Sequence, residues 1–123
     1  MQTLMRRRVG FTMMELLIVV LVLAILASIA ITKFGDAKRR AYLTAMKSDL
    51  RGLATVAESR YTSDNSYEHL ETPQGSDGVI LTFTGSTSGW SATATHLRVP
   101  GVACSIAAGT SLAANASSGP VCQ

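Results

Sequence analysis

The stretch Arg8-Val9-Gly10-Phe11-Thr12-Met13-Met14-Glu15-Leu16-Leu17-Ile18-Val19-Val20 decides how this chain is read. Basic residues lead up to a glycine, an acid stands at the fifth position counted from Phe11, and an apolar run follows. From Leu16 to Thr32 no residue is charged, and only Ser28 and Thr32 carry a polar group. Taken as a helix at about 1.5 Å per residue, Phe11 to Thr32 covers about 33 Å, enough to cross the hydrocarbon core of a bilayer. A basic leader followed by such a run has the order of a membrane-targeted amino terminus. Ser28-Ile29-Ala30 offers a small-x-small site, and a cut after Ala30 would release a soluble secreted domain beginning at Ile31. The acid Glu15, at the mouth of the run, serves no purpose in a signal peptide.

The composition agrees with one apolar segment attached to one small polar domain. Of 123 residues, 47% are hydrophobic and 15% charged, against roughly 25% charged in an ordinary soluble domain. The chain is too short for a two-domain enzyme, and a head of this size needs a staple or assembly to be stable. The net charge of +3 resides in Arg6, Arg7 and Arg8; without the first ten residues, basic and acidic side chains balance. Within that neutral remainder the charge is bipolar. Lys33 to Arg60 holds seven basic and three acidic residues, and Tyr61 to Gln123 holds one basic and four acidic.

The stretch from Arg8 to Val20 resembles the type IV pilin superfamily, whose precursors carry a short basic leader ending in Gly, then Phe, then Glu five residues into the mature chain. The resemblance is close over about Arg6 to Phe34 and architectural beyond. It implies a leader at residues 1–10 cut by a prepilin peptidase between Gly10 and Phe11, N-methylation of Phe11, and retention of the apolar run. It further implies a transmembrane and filament-core helix at 11–32, a globular head at 33–123, and pairing of Glu15 with the cationic nitrogen of Phe11 in a neighbouring subunit. The implied partners are further copies of the chain in a helical filament, the peptidase, and the pilus assembly machinery of the inner membrane. The precursor would sit in that membrane and the assembled subunit in a pilus at the cell surface. A minor pilin, or a pseudopilin of a secretion or DNA-uptake machine, would carry the same amino terminus. The family commonly has Pro where this chain has Thr32, so a proline break of the helix at that point is not implied here. Thr12-x-x-Glu15 is also a helix capping box, a role that Glu15 could fill alone or in turn with the other.

Apolar residues continue at helical spacing through Leu43, Met46, Leu50, Leu53, Ala57 and Tyr61, with Lys47, Asp49, Arg51 and Glu58 between them. One helix is therefore expected from about Phe11 to about Thr62, with bending to be sought at Gly35. Its first half is apolar all round; its second half is amphipathic and suits one face packed on a sheet. The turn formers Thr62 to Ser66 end it, and Thr72 to Gly78 forms a loop. Strands are expected at Val79–Thr84, Trp90–Thr95 and Val102–Ile106. The fold class is α+β, a long amino-terminal helix on a small antiparallel sheet of three or four strands, as in a small pilin. Cys104 and Cys122 lack metal or redox spacing. A disulfide between them would suit an oxidising compartment and tether the small, polar tail as a loop, contributing about 3 kcal/mol; two unrelated buried thiols are the alternative.

No enzyme constellation is present, and no cofactor or metal is expected. Gly85-Ser86-Thr87-Ser88-Gly89 resembles a nucleophile elbow but has Thr where Ser is needed and lies between strands. His69 and His96 are isolated in sequence, which suits a surface residue or a satisfied partner better than a metal ligand. Lys38-Arg39-Arg40 could meet phosphates, but a nucleic-acid partner has no further support, and a solvated flank or ion pairs to an adjacent subunit account for the cluster. Asn115-Ala116-Ser117 matches a glycosylation acceptor in a Ser- and Ala-rich tail where such a match arises by chance.

Overall fold

The computed structural model describes residues 10–109 and 119–123. The order of elements is α1 (Met13–Asp64), β1 (Val79–Gly85), β2 (Gly89–His96), β3 (Ala103–Gly109) and β4 (Val121–Cys122). The chain divides into two compact units between Asp36 and Ala37. The leader arginines, Leu112 and the Asn115-Ala116-Ser117 acceptor pattern lie outside the described residues, as does most of the tail expected to form a loop.

Helix α1 is assigned without interruption through Thr32 and Gly35. It ends two residues beyond the expected Thr62. Asn65 takes up the left-handed conformation, with φ of 53°, and its N–H donates to the Tyr61 carbonyl at 2.8 Å. Asparagine tolerates that conformation better than most residues, so the turn formers stop the helix at their middle and not at their first member.

In the second unit the four strands form one antiparallel sheet in the order β1-β2-β3-β4. Strands β1 and β2 make a hairpin closed at Ser86, whose N–H and hydroxyl both donate to the Gly89 carbonyl, at 2.8 and 2.9 Å. Gly85 at its base lies against the Tyr67 carbonyl so closely that a Cβ could not be accommodated. The first two strands run one or two residues past their expected ends, whereas β3 starts one residue late and continues three residues further, to Gly109. Ladder pairing with β2 from Gly89 to Thr95 holds β3 in place over its whole length, a long-range effect that Ala-Ala-Gly does not encode locally. Strand β4 had no sequence signal of its own. Its two residues pair with Cys104 and Ser105, and Cys104 and Cys122, directly opposite each other, are joined as a disulfide.

The core lies between the amphipathic half of α1 and one face of the sheet. Met46, Leu50, Leu53 and Ala57 come from the helix, Val79 from β1, Trp90, Ala92 and Ala94 from β2, and Cys104 from β3. Inward and outward positions alternate along β2, as a strand with one wet face requires. Large side chains come mainly from the helix and small ones from the strand centre, so the two layers interdigitate. Tyr67, from the connection after α1, stacks on Tyr61 at 4.6 Å between ring centroids and completes the core at one end.

Polar groups at the rim are satisfied across long sequence separations. The buried Trp90 donates its indole N–H to Glu58 at 3.1 Å, and Tyr67 donates its hydroxyl to the same carboxylate at 3.2 Å. Asp49 accepts from both the N–H and the hydroxyl of Ser76, at 2.7 and 2.8 Å, fastening the α1–β1 loop to the helix. His96 is buried, accepts the Arg98 N–H at Nδ1 (3.0 Å) and stacks on Tyr42 at 4.3 Å. It is a satisfied core histidine.

Three stability predictions follow from this packing, each read by the fluorescence of Trp90, the sole tryptophan. Leu50→Ala removes a fully buried side chain and should lower unfolding free energy in denaturant titration by about 2–5 kcal/mol. Reducing the Cys104–Cys122 bond should cost about 3 kcal/mol in the same titration. Burial first, and the Glu58 carboxylate second, raise the Tyr67 phenol above its ordinary value of 10.0. Below that pH the folded and unfolded chains both hold the proton; above it the unfolded chain loses its proton first, so stability should fall as pH rises past about 10.

Candidate functional site

The residues singled out for assembly sit at the start of α1. Gly10, Phe11 and Thr12 precede the helix in non-helical backbone. Among the described residues nothing lies within 4 Å of where a Gly10 Cβ would be, and Phe11 is 86% exposed. The Gly10–Phe11 bond therefore stands in an open segment just ahead of a regular helix.

Glu15 forms the capping box with Thr12. Its Oε2 accepts from the Thr12 N–H at 2.9 Å and from the Thr12 hydroxyl at 3.1 Å, and the Glu15 N–H donates to Thr12 Oγ1 at 3.2 Å. The Leu16 N–H reaches the Thr12 carbonyl at 3.3 Å. These bonds satisfy amides that a helix start otherwise leaves open, and a carboxylate in the first turn also complements the helix dipole. Among the described residues Glu15 Oε1 accepts no hydrogen bond, so half of the carboxylate is left for another donor. Glu15 is not brought against the Phe11 nitrogen within the chain.

Beyond the cap every large apolar side chain from Phe11 to Phe34 is exposed, and even Val22, the least exposed of them, is at 49%. Lipid or other helices must cover this surface in any stable state, because a contiguous apolar face of that length is not tolerated in water. The helix is long and apolar enough to cross a membrane. Ser28 and Thr32 do not interrupt it: each hydroxyl donates to a carbonyl one turn earlier, Ser28 to Ile25 at 2.7 Å and Thr32 to Ile29 at 2.9 Å. Their polarity is thereby spent inside the helix.

The other singled-out residues lie apart from this segment in sequence. Cys104 and Cys122 are bonded in the sheet, His69 and His96 belong to different elements, and no group of three or more metal-ligating side chains occurs among the described residues. Sequence reading missed the polar fastenings of Glu58 to Trp90 and Tyr67 and of Asp49 to Ser76. Their partners stand up to 32 positions apart, and no local pattern marks them.

Comparison with known proteins bears on the same segment. Residues 5–31 match the model of the prokaryotic N-terminal methylation motif. Two fimbrial proteins of Pseudomonas aeruginosa are 37% identical over 70 residues, 57% of this chain and 46% of theirs. The type II secretion system core protein G of the same species is 30% identical over 81 residues, 66% of this chain and 56% of that protein. These similarities are consistent with the type IV pilin superfamily. This pilin-like chain spans about half the length of the curated relatives it matches. No solved structure matches it. A long amino-terminal helix and a four-stranded antiparallel sheet make a pilin-like α+β arrangement.

A direct test of the cap follows. Thr12→Val keeps the size of the side chain and removes the hydroxyl that caps the Glu15 N–H. Amide exchange in detergent should speed up over the first helical turn, by an amount equivalent to about 1 kcal/mol, with residues beyond Ile18 unaffected.

Proposed function

We propose that this chain is a structural subunit of a type IV pilus. Its residues 1–10 are a leader removed after Gly10, residues 11–32 a helix held first in the inner membrane and then in the filament core, and residues 33–123 the head. The observation that carries this reading is the uncharged, exposed stretch of α1 from Leu16 to Thr32, preceded by Glu15, a carboxylate with one oxygen still open. Cleavage after Gly10 converts the Phe11 amide nitrogen into an amine. N-methylation keeps that amine cationic.

A carboxylate at the edge of hydrocarbon is costly and calls for a partner. The amine of a neighbouring copy supplies one, and the pairing fixes how far one helix slides along the next. Leaving the bilayer costs little when helix packing replaces lipid contact, because lipid tails are as apolar as leucine. Heterologous contacts repeated along an axis then give an open helix. The finished filament stands at the cell surface.

The competing reading is a minor pilin or a pseudopilin. The alignment with the secretion-system protein favours it in one respect, since it extends over more of this chain than the fimbrial alignments do. Abundance separates the two: a major subunit is the principal protein of filaments sheared from the cells of its native host.

Two measurements test the proposal. The mass of the native protein should correspond to a chain beginning at Phe11 with one added methyl group; a start at Ile31 would make it a secreted domain, and an intact leader a permanent anchor. Glu15→Ala should leave cleavage intact while the neighbour's amine loses its partner. Breaking such a buried pair costs about 3–5 kcal/mol, so filament yield should fall by on the order of a hundredfold or more. Normal yield from that variant would remove the register argument.

A further inference from the structure

We infer that the outer face of the sheet is a binding surface for a neutral, hydroxyl-rich polysaccharide, engaged by many heads at once. The inference does not depend on the filament reading, since heads anchored side by side in a membrane present the same face.

The face follows from the strand ladder. Along β2 the side chains of Trp90, Ala92, Ala94 and His96 are buried, so those of Ser91, Thr93 and Thr95 lie on the other side of the sheet. Residues directly opposite each other in neighbouring strands share a face. Thr93 stands between Thr82 and Ser105, Ser91 stands opposite Thr84, and Thr95 stands between Ile80 and Ala103. Six hydroxyls therefore occupy three successive ranks across the sheet, and Val121 extends the middle rank beyond Ser105. Ser91 is half-buried and the other five are exposed. Neighbours in a rank are about 4.8 Å apart, and successive ranks, two residues of strand, about 6.7 Å.

Two properties set these hydroxyls apart. Among the described residues none of the six is hydrogen-bonded to another group of the protein. In α1, by contrast, Thr32, Thr44, Thr55 and Thr62 all donate to carbonyls of their own helix. The second property is charge: the four strands contain no Asp, Glu, Lys or Arg, and His96 is turned into the core.

That neutrality selects the partner. A nucleic acid, an acidic polysaccharide or an anionic lipid headgroup is held by cations, and these strands supply none. Protein interfaces rely on aromatic, methionine and arginine side chains at their centre, where this face has serine and threonine. A neutral sugar polymer matches it. The hydroxyls of such a polymer both donate and accept, as those of Ser and Thr do, and its C–H surfaces meet the threonine methyls, Ile80 and Val121. A repeating chain also meets repeating ranks. Each hydrogen bond replaces one to water and gains little, so a single head binds weakly. Heads held together multiply that affinity with no new contact.

Phosphatidylcholine liposomes carrying the full-length chain test this by co-sedimentation with microcrystalline cellulose, insoluble mannan and insoluble starch. Wild-type liposomes should sediment with at least one of these glycans, and protein-free liposomes with none. Thr82→Val with Thr93→Val keeps the shape of the middle rank, removes two hydroxyls and should weaken apparent affinity on the order of tenfold or more. Thr82→Ser with Thr93→Ser keeps the hydroxyls and should bind within about threefold of the wild type. Binding should persist at about 1 M salt, where attraction between charges is screened. Unchanged Trp90 fluorescence and an intact disulfide show that the head of each variant is folded. Wild-type liposomes that bind none of the glycans, valine variants that bind like the wild type, serine variants as weak as the valine ones, or binding lost at high salt each overturn the inference. Filament formation plays no part in this readout, so failure here leaves the filament reading standing, and failure of that reading leaves this inference standing.

Discussion

Everything in this protein answers to one constraint: among the described residues, nothing covers the first half of its long helix. A soluble domain buries such a surface against itself, and here the exposed run continues from Phe11 to Phe34. On the filament reading the hydrophobic effect therefore acts between molecules, first with lipid and then with other copies. The polar details of the segment fit that demand. Ser28 and Thr32 turn their hydroxyls onto the helix's own carbonyls, and the one carboxylate stands at the very start of the helix, where it can cap amides and still offer an oxygen outward.

The head meets a different difficulty, that of building a stable domain from a short chain with little large apolar material after the helix. Its sheet contributes alanines at the centre of β2 and one tryptophan, and the larger aliphatic and thioether side chains come from α1. The remaining stability comes from fastenings that join distant parts of the chain. The disulfide ties the last strand to β3, Glu58 gathers Trp90 and Tyr67, and Asp49 holds the loop by Ser76. Two of these fastenings originate on α1, so the helix is the frame of the head and, on the filament reading, the assembly element as well.

Much of this was legible in the order of residues. The apolar run, the acid at its mouth and the three-four spacing from Leu43 to Tyr61 fix a helix whose two halves face different surroundings, because helical period and hydropathy are local properties. Strands β1 and β2 were legible for the same reason, alternation bounded by Gly and Ser. Strand β4 was not: Val121 and Cys122 form a strand only because the disulfide and β3 hold them there. The last residues of β3 were missed likewise, as their extended form is imposed by pairing with β2. At the candidate assembly segment the residues Gly10, Phe11 and Glu15 were all visible in advance, whereas the division of Glu15 between a cap already made and an oxygen left open required coordinates.

The sequence by itself determined the helix, its apolar reach and the position of Glu15 at the mouth of that reach, since each depends on neighbours within a turn or two. Tertiary structure decided which charges are spent and which remain. Arg60 finds Asp64 one turn away, Asp49 finds Ser76 and Glu58 finds Trp90, and the last two pairings exist only once the sheet is packed on the helix. Electrostatic and hydrogen-bond partners are chosen by distance in space, and only the folded chain sets those distances.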